Sequence, residues 1–105
     1  MDLNSIMQQA KGMQEKMAKI QQDLAQKTIT GSSGGGMVTV TVNGQGDVLS
    51  ISIENAVIDP AEQEMLQDLI VAATNDGIRK AKELGKQEMA QLTGGLNIPG
   101  LSNLT

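Results

Sequence analysis

Apolar positions recur along this chain with two different periods, and the change of period marks its elements. Leu3, Ile6, Ala10, Met13, Met17, Ile20 and Leu24 are spaced alternately by three and four residues. That is the seam of an amphipathic helix, predicted from about Asp2 or Asn4 to Ala25. Such a seam either lies on the chain's own sheet or meets another helix in a coiled-coil-like contact. From Met37 the period drops to two. The runs Met37–Val42 and Asp47–Ile53 flank Asn43-Gly44-Gln45-Gly46, a hairpin signal. With Gly44 and Gln45 as the turn, Asn43 faces Gly46, Val40 faces Leu49, Val38 faces Ile51, Thr41 faces Val48 and Thr39 faces Ser50. One face of the hairpin is then apolar and the other mostly hydroxylated, and a slip of one residue would mix them.

Between helix and hairpin, Gln26–Thr30 reads as a short first strand, and Gly31-Ser32-Ser33-Gly34-Gly35-Gly36 as a flexible link. A glycine cluster invites comparison with a phosphate-binding loop. That loop needs a strand before it and a helix after it, with a Lys-Ser/Thr pair, and here a strand follows. A turn or bulge between strands is the better reading. After Ile53, Asp59-Pro60-Ala61-Glu62 is a helix start: Asp59 caps, proline suits the first helical position, and Glu62 can reach back. Glu64 and Asp68 complement the helix dipole, so the acids of this stretch need no metal or catalytic role. The second helix runs to about Leu92 and ends at Gly94-Gly95. Along it Ala73, Gly77, Ala81 and Gly85 recur every four residues, with Leu66, Ile70 and Leu84 on the same side. Each internal glycine costs about 1 kcal/mol against alanine, a loss that close approach of another backbone would offset. Met13, Met17 and Ile20 from the seam, and Ala73, Gly77 and Ala81 from this ridge, are the candidates for contact with a second chain.

Composition narrows the picture. The chain has 105 residues and no Phe, Tyr or Trp, so one modest core must be built from aliphatic residues and seven methionines. Residues 1–93 are expected to form one domain, with 94–105, an uncharged tail, flexible beyond it. With no Cys there is no disulfide framework. The chain shows no signal peptide and no apolar run near the ~20 residues of a membrane span. It reads as soluble and cytoplasmic, with no membrane partner. Lacking His and Cys, it also lacks the commonest general base, nucleophile and zinc ligands. The expectation is no enzyme, no metal, no cofactor and no small-molecule substrate.

The formal charge is −4, but its distribution matters more than its sum. Residues 59–76 hold five acids and no base, whereas residues 77–92 hold four bases and two acids. On a helical wheel Arg79, Lys82 and Lys86 form a row opposite the small-residue ridge. With Lys11, Lys16 and Lys19 of the first helix, this row is either a phosphate-tracking surface or an ordinary solvated face. Without aromatic rings there is no stacking on bases, so any nucleic-acid binding would rest on phosphates and be salt-sensitive.

The combination resembles the YbaB/EbfC family of bacterial nucleoid-associated proteins. The likeness is carried by Ile6-Met7-Gln8-Gln9-Ala10-Lys11 and Met13-Gln14-Glu15-Lys16-Met17. It continues in Gly34-Gly35-Gly36-Met37-Val38-Thr39-Val40-Thr41-Val42-Asn43-Gly44, in Asp68-Leu69-Ile70-Val71-Ala72-Ala73-Thr74-Asn75-Asp76 and in the Lys-rich end of the second helix. It covers roughly residues 3–92 and departs at Gly77, where the family often has alanine. The resemblance implies an α+β fold of order α-β-β-β-α, a three-stranded antiparallel sheet with two long helices, and a tweezer-like homodimer. It also implies binding of double-stranded DNA with little sequence preference, in the nucleoid, with effects on nucleoid organisation and gene expression. Carried over, the DNA-contacting residues would be Lys11, Lys16, Lys19, Arg79, Lys82 and Lys86. The competing reading is an adaptor that recruits a protein through its Met-rich first helix.

Overall fold

Five elements succeed one another in the computed structural model, which describes residues 2–93: α1 (Leu3–Gln26), β1 (Thr28–Ser33), β2 (Val38–Asn43), β3 (Val48–Ile53) and α2 (Gln63–Thr93). The expected tail, 94–105, lies outside the described residues. The strands form one antiparallel sheet in the order β1-β2-β3. This is the α-β-β-β-α order, in two layers.

Both helices start where the side chains permit it. The Asp2 carboxylate accepts the Asn4 N–H at 3.2 Å, and Asp59 Oδ1 accepts the Ala61 N–H at 3.0 Å. Such caps satisfy amides that the first turn leaves without partners. At the second start the chain makes one 3-10 turn, Pro60–Glu62, before the α-helix proper begins at Gln63. Glu62 contributes its backbone N–H to the Asp59 carbonyl (2.9 Å).

The hairpin keeps its faces but not its expected register. Val40 lies opposite Ile51, Val38 opposite Ile53, Thr41 opposite Ser50 and Thr39 opposite Ser52. Each of these four partners is two residues further along β3 than a two-residue turn would give, while Val42, opposite Val48, is shifted by one. Two irregularities account for the shift. The Asn43 N–H donates to the Asp47 carbonyl and the Gly46 N–H to that of Asn43, both at 3.0 Å, so the loop holds Gly44, Gln45 and Gly46. Gly46 closes it at φ 88°, the left-handed position of a three-residue hairpin loop. A bulge next to Val42 then leaves Leu49 without an opposite residue. An even shift preserves the pleat, so the valines still share one face and the hydroxyls the other. The buried Asn43 side chain holds the loop: its Oδ1 accepts the N–H groups of Gln45 and Asp47, each at 3.0 Å.

The first strand is longer than its apolar content indicated. β1 runs through Gly31 to Ser33, residues expected to be link, and only Gly34–Gly36 turn, all three with positive φ. Gly31 belongs in the strand because α2 crosses there. A Cβ on Gly31 would stand 2.2 Å from the Gly77 nitrogen and 2.3 Å from the Ala73 carbonyl oxygen. Ala73, Gly77 and Ala81 are therefore buried within the chain, packed over β1 and β2 around Val38, Val40 and Val42. The close-approaching backbone that the ridge calls for is the chain's own strand, which removes these three residues from the surface open to a second copy.

α2 lies over β1 and β2 and leaves β3 uncovered. α1 touches the body at its C-terminal end, where Leu24 is its one buried residue. The Gly44 N–H donates to the Leu24 carbonyl at 2.8 Å, so the hairpin loop caps this helix. The remaining length of α1, some 30 Å at about 1.5 Å per residue, carries its seam with little cover.

Candidate nucleic-acid interface

The six cations singled out from the sequence fall into three settings. Lys11, Lys16 and Lys19 are exposed on the free length of α1, Lys11 and Lys19 away from the seam and Lys16 at its flank beside Met13. Glu15 stands one turn from both Lys11 and Lys19, and Asp23 one turn beyond, so this face alternates in sign. Lys82 and Lys86 are exposed on the flank of α2 that looks toward α1. They line an open groove of about 500 Å³ with Gln21 and Leu24 of α1, the Gly44–Gly46 loop, and Ala81, Gly85 and Met89 of α2. None of these five lysines has a carboxylate within ion-pair distance among the described residues.

Arg79 is different. Its Nη2 donates to Asp76 Oδ1 at 2.7 Å, and Lys80 Nζ sits 3.2 Å from Asp76 Oδ2. Asp76 also accepts the Ser32 N–H of β1 at 3.0 Å, while Lys80 donates to the Thr30 carbonyl at 3.2 Å. The backbone N–H of Ser32, then Arg79 and Lys80, hold the Asp76 carboxyl at about 2, well below its usual 3.8. The expected row of three on α2 is thus divided: Arg79 belongs to a clasp between helix and strand, and Lys82 and Lys86 stand free. The clasp is not read from the sequence, although Asp76, Arg79 and Lys80 have the three- and four-residue spacings of helical ion pairs. A second tie, Lys27 to Glu88, joins the α1–β1 junction to the far half of α2 and neutralises an acid near Lys86.

The other charged cluster lies elsewhere. Glu62, Glu64 and Asp68 rim a shallow depression at the start of α2 with Met65, Leu69 and Ala72. Along the helix axis Glu64 is about 27 Å from Lys82, several times the roughly 8 Å screening length of physiological salt. These three acids thus do little to the field at Lys82 and Lys86.

Of the apolar candidates, Met13 and Ile20 are partly covered and Met17 is 41% exposed, as are Ile6 at 44% and Leu3 at 69% further out. Among the described residues no helix is long and apolar enough to cross a membrane.

Fold and charge together describe a class: a two-layer α+β chain with two long, partly free helices and lysines set along them. Comparison with known proteins gives the particular family. Residues 1–96 match the model of the YbaB/EbfC DNA-binding family, and the chain belongs to it. It is 67% identical over 103 residues to a nucleoid-associated protein of Desulfotalea psychrophila, covering 98% of this chain and 97% of that one. It is 59% identical over 95 residues to a nucleoid-associated protein of Syntrophobacter fumaroxidans, covering 90% and 86%. Among solved structures it resembles an uncharacterized protein of Helicobacter pylori, with a TM-score of 0.79 and 26% identity over 88% of this chain and 97% of that one. The family is one of nucleoid-associated DNA-binding proteins, not an enzyme family.

Proposed function

We propose that the chain binds double-stranded DNA as a homodimer, through phosphates and with little sequence preference, and so contributes to nucleoid organisation and gene regulation in the bacterial cytoplasm. The observation that carries the reading is the set of five unpaired lysines, Lys11, Lys16, Lys19, Lys82 and Lys86, on the two long helices. Long flexible ammonium groups suit phosphates, which give affinity without sequence information. The side chain best suited to reading guanine is arginine. The single arginine, Arg79, is held by Asp76. Aromatic rings, which stack on bases, are absent from the sequence.

The case for two copies is one of exposed surface. Among the described residues ten large apolar side chains are exposed, against seven hydrophobic residues in the core, of which two are alanines. A chain this small with so little core gains by covering part of that surface with a second copy.

Mobility shifts of two unrelated duplexes test the reading. Reversing charge at Lys82 and Lys86 weakens both complexes to a similar degree if phosphates are the target. Loss on one duplex alone would mean base recognition, and no change would move the interface away from α2. The free length of α1, with seam residues Leu3, Ile6 and Met17 and the neighbouring Met7 exposed, supports a second reading as a protein adaptor. Its signature is co-purification of one partner protein that survives nuclease treatment.

A further inference from the structure

The seam of α1 loses its cover in one direction. Leu24, at the sheet, is 3% exposed, Met17 41%, Ile6 44% and Leu3 69%. The reason is where α2 stops. It follows β1 from Gly77, over Gly31, to Lys80 at Thr30 and Glu88 at Lys27, the C-cap of α1. α2 therefore leaves the sheet at the end where α1 enters it. It lines one groove with Gln21 and Leu24 as far as Met89 and ends one turn later at Thr93. One turn outward from Gln21 on α1 is Met17, and from there to Leu3 the helix continues for about 21 Å at the usual rise per residue.

Two open hollows flank this outer length, one of about 590 Å³ beside Met7 and Ala10 and one of about 410 Å³ beside Gly12 and Met13. Gly12 weakens the helix relative to alanine, a loss that a closely approaching backbone offsets. Among the described residues, the helix's own backbone apart, nothing stands within 4 Å of where its Cβ would be.

The segment that follows Thr93 matches this surface. Residues 94–105 carry Leu96, Ile98, Leu101 and Leu104 and no charge. Segments that stay in water as disordered chain are poor in apolar residues and rich in charge, and this one is neither. Gly94-Gly95 favours a helix end, and Pro99-Gly100 opposes a new helix over the rest. Extended, these residues reach about 40 Å, nearly twice the uncovered length of α1.

We infer that residues 94–105 run outward from Thr93 along α1 and cover its seam, Leu96 nearest Met17 and Leu104 nearest Leu3. A segment tethered beside a surface acts at an effective concentration in the millimolar range, which gives it precedence over a separate partner. Docked so, the tail straps the outer half of α1 to the end of α2, while Lys11 and Lys19, away from the seam, stay exposed. The inference goes beyond the proposed DNA binding and does not depend on it. It takes the face on which the adaptor reading relies.

Paramagnetic broadening on the full chain tests this, since the absence of cysteine lets Asn103→Cys carry a single nitroxide. The amide signals of Leu3, Ile6 and Ala10 are expected to weaken in the labelled chain. They should keep full intensity when nitroxide-bearing chains are mixed with isotope-labelled chains that carry none. Hydrogen exchange gives an independent readout. Leu101→Ser with Leu104→Ser should speed exchange over residues 6–17 by about tenfold, the effect of losing one buried leucine, and leave the sheet amides unchanged. Full-strength signals in the labelled chain, or exchange over 6–17 that the tail variant does not alter, would overturn the docking and return the seam to the adaptor reading. Loss of signal in the mixed sample would place the tail on a second chain, which overturns it as well.

Discussion

The contact between β1 and α2 offers the sharpest test of the packing. At Gly31 a methyl group would lie 2.2 Å from the Gly77 nitrogen, 2.3 Å from the Ala73 carbonyl oxygen and 2.7 Å from the Gly77 Cα, all backbone atoms. No rotamer relieves that overlap, so Gly31→Ala must lift α2 by on the order of 1 Å, enough to forfeit a quarter to a half of the dispersion energy at the contact. The atoms that separate belong to the core, Ala73 and Ala81 over Val40 and Val42. Overpacking alone costs about 1–3 kcal/mol, and the parted core brings the expected loss to about 3 kcal/mol or more. That is a large share of the roughly 5–15 kcal/mol of a typical domain. The partner glycine behaves differently. A methyl group on Gly77 meets the Val42 Cγ1 at 3.3 Å and the Gly31 nitrogen at 3.4 Å, distances that a small shift accommodates. Gly77→Ala also gains about 1 kcal/mol of helix propensity, so its net effect should lie within about 1 kcal/mol of zero. Urea unfolding of both variants and the wild type at one protomer concentration reads the difference in midpoint. If Gly31→Ala loses less than Gly77→Ala, the two backbones do not cross as described.

Three further outcomes follow from single contacts. Asp76→Asn loosens the clasp on β1 and releases Arg79. Because the folded Asp76 sits at about 2 against 3.8, it stabilises the fold above about 3.8 and loses that contribution as pH falls toward about 2. Acid titration of the variant should therefore be flatter across that window, and an unchanged profile would deny the clasp. Asn43→Ala leaves the Gln45 and Asp47 amides without their shared acceptor, at a cost of about 1–3 kcal/mol in thermal or urea unfolding. Gly44→Ala places a Cβ 2.6 Å from the Leu24 carbonyl oxygen, so circular dichroism and exchange should show the C-terminal turn of α1 fraying. Protection of the last turn equal to wild type would place the hairpin loop elsewhere.

What could be read from the sequence depended on how local the cause was. The α1 seam, the valine alternation of β2 and the Asp59-Pro60 start are written within a few residues, and all appear where expected. The register moved by two because the Asn43 side chain organises a loop of three residues and Leu49 bulges, both choices made by geometry beyond the turn dipeptide. The span of β1 was hidden because Gly31 owes its place to a helix more than forty residues away. The same long-range packing buried Ala73, Gly77 and Ala81 inside the chain. At the candidate interface, residue type identified the cations. Their pairing decided which of them are free, and that separates Lys82 and Lys86 from Arg79.

The most direct measurement is the salt dependence of duplex binding by the wild type and by the Lys82→Glu, Lys86→Glu double variant. Every phosphate that a lysine no longer neutralises should flatten the slope of log K against log salt by about 0.9. A steep negative slope is expected for the wild type and one shallower by about 2 per chain for the variant, on any duplex. A wild-type affinity that does not fall with salt, or an unchanged slope in the variant, would contradict binding through these lysines.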